Sequence, residues 1–234
     1  PTSSEVTSSR RVLDPTRVAR AIREQGALFT LTHPYNLGDP ICTGCRFTSS
    51  LDVADVDLVE IWHRRWIGDS ADNVAARALW NDMWKRGLRP VAVGVRDWHN
   101  KNHEAPLPGP LPTTVVHARS LEQRDLLAGL KRGAVYITRG PTLDFTVVVD
   151  GQRVGLGDNA RASSRVEVDV VVDCVDRDLI ERARVELHKN GELAQTTELV
   201  DGKAKFVDGG AGFYRVEVWR DDGPLVLANH IVLA

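Results

Sequence analysis

Along the first two-thirds of the chain, apolar runs of five to seven residues alternate with segments of helical period; after about residue 143 only short alternating runs remain. Asp14-Pro15 opens a predicted helix with a capping side chain followed by proline at its first position, Gly26 closes it, and Val18, Ala21 and Ile22 mark its apolar face. A strand is predicted over 27–32, then a long loop through Cys45 and a strand over 56–62. A helix follows from about Ser70 to Arg86, stopped by Gly87, with a strand over 90–96 and a Pro/Gly-rich loop over 101–114. Ser120 and Gln123 have capping-box spacing and start a helix that runs to about Arg132 before Gly133. Strands alternating with helices predict parallel pairing, with the helices as crossovers and the functional site at the carboxyl ends of the strands.

From Leu143 onward the turn signals are Asp150-Gly151, Asn190-Gly191, Asp201-Gly202 and Asp221-Asp222-Gly223. They separate roughly seven short strands, the arrangement of an antiparallel β-sandwich, and Asn190-Gly191 predicts a tight hairpin. The expected division is therefore an α/β part over 1–142 and an Ig-like sandwich over 143–234. Trp80 and Trp84, four residues apart on a predicted helix, are expected in its core.

The 234 residues carry a formal charge of -2 without clustering of sign, which gives no footprint for nucleic acid. No apolar stretch approaches the ~20 residues that span a bilayer, so no membrane partner is expected and a small molecule is the expected substrate. Three cysteines are an odd number for a disulfide scaffold; they lean towards a reducing, cytoplasmic setting, with a periplasmic or secreted one as the alternative. Cys42 and Cys45 have the spacing of a zinc or redox pair but lack a second pair, and are expected to clamp a loop.

The chemistry concentrates where strands end. Asp97-Trp98-His99 follows the run Pro90 to Val95, and residues 97 and 99 share one side of an extended chain. His33 ends the run Leu28 to Thr32. His33, Asp97 and His99 are thus expected to converge on one divalent metal ion, with Asp97 and His99 catalytic. Arg96, His63 and Trp98 are expected to face the substrate. Glu60, in alternation with Trp62, is expected to orient a ligand rather than to be one.

Several short motifs in order resemble the PHP-type metallohydrolases, in the branch that contains carbaryl hydrolases. They are Gly26 to Pro34, Cys42-Thr43-Gly44-Cys45, Val59-Glu60-Ile61-Trp62, Leu79 to Trp84 before Gly87, Gly94 to Asn100 with Asp97-Trp98-His99, and Leu130 to Pro141. The resemblance implies a distorted (β/α)7 barrel holding divalent ions (Zn, Mn or Fe) whose activated water attacks an ester, carbamate or phosphoester. It gives His33 the place of a late histidine ligand, and Asp97 and His99 that of the closing pair.

The His-x-His strand and the further ligands with which such proteins open have no counterpart among residues 1–25. The expected architecture is accordingly a partial barrel, its carboxyl-terminal half, followed by the sandwich. A preceding segment or a second chain is expected to complete it. Two functions compete: a metal-dependent hydrolase, incomplete in this stretch and holding at most one ion weakly, and a non-catalytic remnant or ligand- or partner-binding module that has lost its metal cluster.

Overall fold

The computed structural model describes residues 14–36, 51–64, 66, 70–97 and 111–234. The Asp14 carboxylate accepts from the Thr16 backbone N–H at 3.0 Å and starts helix α1 (Pro15–Glu24). Its buried residue is Ala19, whereas Ala21, expected on the apolar face, is exposed. Ion pairs account for the rotation: Arg20 binds Asp55 at 2.7 Å, and Arg23 reaches Asp55 and Asp57 in the turn that leads into the second strand.

Three short strands, β1 (Thr30–Leu31), β2 (Leu58–His63) and β3 (Val91–Val95), pair in parallel in the order β1-β2-β3. All six residues of β2 are buried, as a strand covered on both faces requires. Helix α2 (Ala71–Lys85) is the crossover between β2 and β3. It buries Trp80 and Trp84, and both indole N–H groups donate to the Pro90 carbonyl at 2.9 Å.

The expected partial (β/α)7 barrel is not what forms. Among the described residues no further parallel strand adds on beyond β3, and the fold is mainly β, built of open sheets. Helix α3 (Gln123–Arg132), expected to continue the α/β alternation, lies between strand β4 (Thr113–Val116), which begins inside the expected Pro/Gly-rich loop, and strand β5 (Val135–Thr138). Instead β4 and β5 pair antiparallel and extend a sheet of the sandwich. The reason lies at the outer edge of β3, where side chains stand in for a neighbouring strand. Thr114 Oγ1 accepts from the Gly94 N–H at 3.0 Å and donates to the Gly94 carbonyl at 2.8 Å. The Asn229 amide does the same for Ala92, at 2.7 and 2.9 Å, and also donates to the Val135 carbonyl. The edge is thereby satisfied and closed to another strand. Gly94 permits the approach, because a Cβ there would lie 2.5 Å from the Ile137 side chain. Ser120, expected in a capping box with Gln123, instead accepts from the Glu122 N–H and donates to the Asp125 carboxylate.

The remainder is the expected two-layer antiparallel sandwich. One layer orders β12 (Lys203–Asp208), β9 (Val166–Asp173), β6 (Thr142–Val149) and β7 (Gln152–Gly155). The other runs β11 (Glu192–Glu198), β10 (Arg184–Lys189), β13 (Gly212–Arg220), β14 (Gly223–Ala228), β5, β4, with β15 (Ile231–Leu233) and β8 (Asn159–Ala160) paired beside β13. This larger sheet draws strands from both sides of the division expected at 142. Inward-facing Phe145, Val147, Val168 and Val170 meet Val185, Leu187, Val216 and Val218 in one core. Asn190 and Gly191, at φ +53° and +81°, make the two-residue β10–β11 turn. The outer face of this sheet receives α2, with Phe213 and His230 packed on Trp84.

Candidate metal centre

At the carboxyl ends of the parallel strands, His33, Glu60 and His63 bring ligand-type atoms within 4.8 Å of one another. His33 follows β1, while Glu60 and His63 belong to β2. The Glu60 carboxylate, 1% exposed, uses both oxygens: Oε1 lies 2.6 Å from His63 Nδ1, and Oε2 accepts from the His33 backbone N–H at 3.0 Å. A carboxylate can only accept, so the His63 proton sits on Nδ1 and the lone pair on Nε2. Asn36 Nδ2 donates towards that Nε2 at 3.4 Å. The His63 main chain is pinned in turn by the Asn73 amide of α2, which accepts from its N–H at 2.8 Å and donates to its carbonyl.

Asp97, beyond the end of β3, places Oδ2 3.5 Å from His63 Nε2. The same oxygen accepts from Arg64 at 2.6 Å. His33 Nδ1 is buried with no hydrogen-bond partner, and the His33 and His63 ring centroids are 4.7 Å apart. His33, Arg64, Ser70 and Asp97 all have positive φ, between +29° and +54°. Non-glycine residues adopt that conformation at a cost of order 1–3 kcal/mol each, so the ends of β1, β2 and β3 at His33, Arg64 and Asp97, and the start of α2 at Ser70, carry backbone strain.

Of the residues expected at the site, His33 and His63 come together with Glu60, and Asp97 approaches His63. His63, expected to contact substrate, and Glu60, expected to orient a ligand, both belong to the group that could hold an ion. Arg96 donates to the Thr113 hydroxyl at 3.0 Å, and Arg64 is the cation on Asp97. Nothing in the local pattern singles out Arg64. Trp98 and His99, with Cys42, Cys45 and His103, lie outside the described residues.

A second possible His/Glu group lies in the sandwich: Glu186, His188 and Glu217. Here His188 Nδ1 accepts from Arg215 at 3.2 Å, which leaves its proton on Nε2, facing Glu186 at 3.3 Å and Glu217 at 3.7 Å. Glu217 is further bound by Arg215 at 2.9 Å, by Arg77 of α2 and by the Trp219 indole N–H at 3.0 Å. Burial alone would raise the Glu217 pKa, but the Arg215 and Arg77 charges outweigh it and hold it at about 2. Two guanidinium groups already supply the positive charge, so the group works as an ion-pair clasp between α2 and the sheet. His188 and His230 are both buried.

Comparison with protein-family models, curated proteins and solved structures finds no match to this chain.

Proposed function

We propose that the cluster of His33, His63 and Asp97, oriented by Glu60, is the metal centre of a hydrolase that acts on an ester, carbamate or phosphoester, with PHP-type chemistry. The observation that carries this reading is the 2.6 Å contact from Glu60 to His63 Nδ1, which aims the Nε2 lone pair at Asp97. A carboxylate behind a histidine is the usual support of a metal ligand. The donors fit a divalent ion of the Zn, Mn or Fe class, two imidazoles and one carboxylate, and the unpartnered buried His33 Nδ1 supplies one of them. Such an ion polarises the scissile group and lowers the pKa of a water towards neutrality. The residues of the chain then have separate tasks. Glu60 holds the His63 tautomer, Asn73 fixes its main chain, Asp97 is placed to accept a proton, and Arg64 stands at the cluster to meet negative charge on a substrate.

A second reading, a ligand-binding module without catalysis, is favoured by one contact: Arg64 already neutralises Asp97 at 2.6 Å. The two are separated by metal analysis after dialysis, followed by turnover of p-nitrophenyl acetate, 1-naphthyl N-methylcarbamate and bis-p-nitrophenyl phosphate with added Zn, Mn or Fe. The hydrolase reading expects about one ion per chain, lost in His63→Ala, and slow metal-dependent turnover. No retained ion, or turnover indifferent to metal and to His63, would sink it.

A further inference from the structure

Arg64 follows β2 directly, and its backbone N–H donates to the Val95 carbonyl at 3.1 Å, which ties it to the end of β3 at a φ of +54°. From that anchor its guanidinium Nη2 reaches Asp97 Oδ2 at 2.6 Å. The same oxygen lies 3.5 Å from His63 Nε2, the nitrogen that would ligate an ion. One carboxylate oxygen therefore stands between a guanidinium and a ligand nitrogen.

Exposure separates this pair from the guanidinium clasp in the sandwich. The Arg215 and Glu217 side chains are each 1% exposed, so an ion that took Glu217 would strand a buried charge. The Arg64 side chain is 59% exposed, against 15% for Asp97. An ion pair with so open a partner contributes little, and the guanidinium that leaves it is hydrated at once. A divalent ion carries twice the charge of the guanidinium and gains imidazole ligands in the same step, so the exchange favours the ion.

The released side chain keeps both its charge and its place. A guanidinium stays protonated throughout the working pH range, and its planar fork matches the two oxygens of a carboxylate. Its backbone remains bound to Val95 at the mouth of the cluster, whereas Arg96, the cation expected there from the sequence, donates to the Thr113 hydroxyl. Two positive charges so close repel each other until an anion lies between them.

Resting on the metal centre above, we propose that Arg64 is a displaceable cation: it holds Asp97 until a divalent ion takes that carboxylate, and then binds the carboxylate of an anionic substrate beside the ion. The substrate class is thereby an ester or carbamate that itself carries a carboxylate.

The test begins with calorimetric titration of the full chain with zinc chloride, for the parent, Arg64→Gln and His63→Ala. Arg64→Gln lacks the competitor and is expected to bind zinc about fivefold more tightly than the parent, the order of one exposed ion pair. His63→Ala is expected to lose binding. The Arg64 Nε–H resonance, assigned by its loss in Arg64→Gln, is expected to move as zinc saturates the parent chain. With zinc bound, the parent is expected to favour mono(4-nitrophenyl) succinate over its uncharged methyl ester by about tenfold in kcat/KM, and Arg64→Gln to lose most of that preference through KM. Zinc bound no more tightly by Arg64→Gln, a resonance that zinc leaves in place, an undiminished preference in the variant, or no hydrolysis of the acid would overturn the proposal while the metal centre stands on the loss in His63→Ala. No zinc uptake by the parent and Arg64→Gln alike would overturn both.

Discussion

Glu60 orients His63 because it is buried and its carboxylate lies 2.6 Å from one ring nitrogen. Glu60→Gln keeps the shape and weakens the acceptor, and loss of such a supporting carboxylate typically costs about 10–100-fold in metal affinity. Equilibrium dialysis against zinc is expected to show a decrease of that order, with the circular dichroism of the chain unchanged. Asp97 offers a cleaner probe. Its φ of +50° is one that asparagine tolerates, so Asp97→Asn removes charge without disturbing the backbone. Ion retention is expected to fall, while the thermal midpoint stays close to that of the parent chain. A midpoint far below it would assign Asp97 a structural task with Arg64 instead.

At the scale of elements, the edge of β3 determines where the parallel sheet stops. Asn229 and Thr114 occupy the backbone groups of Ala92 and Gly94 that a fourth strand would have used. Asn229→Ala leaves the Ala92 N–H and carbonyl buried without these partners. At about 1–3 kcal/mol for each orphaned group, a loss near ~3 kcal/mol is expected, or roughly 10 °C in thermal midpoint for a chain of this size. Hydrogen exchange at the Ala92 amide should accelerate first. If that amide stays as protected as those of β2, the clasp is not what closes the edge.

Over the whole molecule, α2 is fastened to the larger sheet through the Arg77, Glu217 and Arg215 clasp, with His230 and Phe213 packed on Trp84 beside it. The Glu217 pKa of about 2 lies below its ordinary 4.5, so its contribution to stability is fully present above about pH 4.5. That contribution is lost as pH falls from 4.5 through 2. Urea titrations across this window are expected to show a loss of a few kcal/mol, and Glu217→Gln to flatten it. The same substitution is expected to destabilise the neutral-pH protein by roughly 3 kcal/mol, since it strands the buried Arg215 guanidinium and weakens the hold on the partly exposed Arg77. A pH profile identical in parent and variant would assign acid sensitivity elsewhere.

Residue spacing by itself determined the local elements: the Asp14 cap of α1, the i, i+4 tryptophans in the dry face of α2, and the Asn190-Gly191 hairpin. It also placed His33, His63 and Asp97 at strand ends; Glu60 meets His63 only through the irregularity of β2 between Glu60 and Trp62, since strict alternation would put residues 60 and 63 on opposite faces. The direction in which a strand pairs is not written in that alternation. Helix α3 has the pattern of a crossover, yet β5 after it is committed to β14, some ninety residues further along the chain. Burial of polar groups is equally non-local. Asn229 reaches Ala92 across 137 positions and Arg77 reaches Glu217 across 140, and neither contact leaves a periodicity to read. Local sequence thus set the elements and the strand-end chemistry, while contacts distant along the chain decided that the parallel sheet stays open, that β4 and β5 join the larger sheet in antiparallel pairing, and that His188 and His230 are buried.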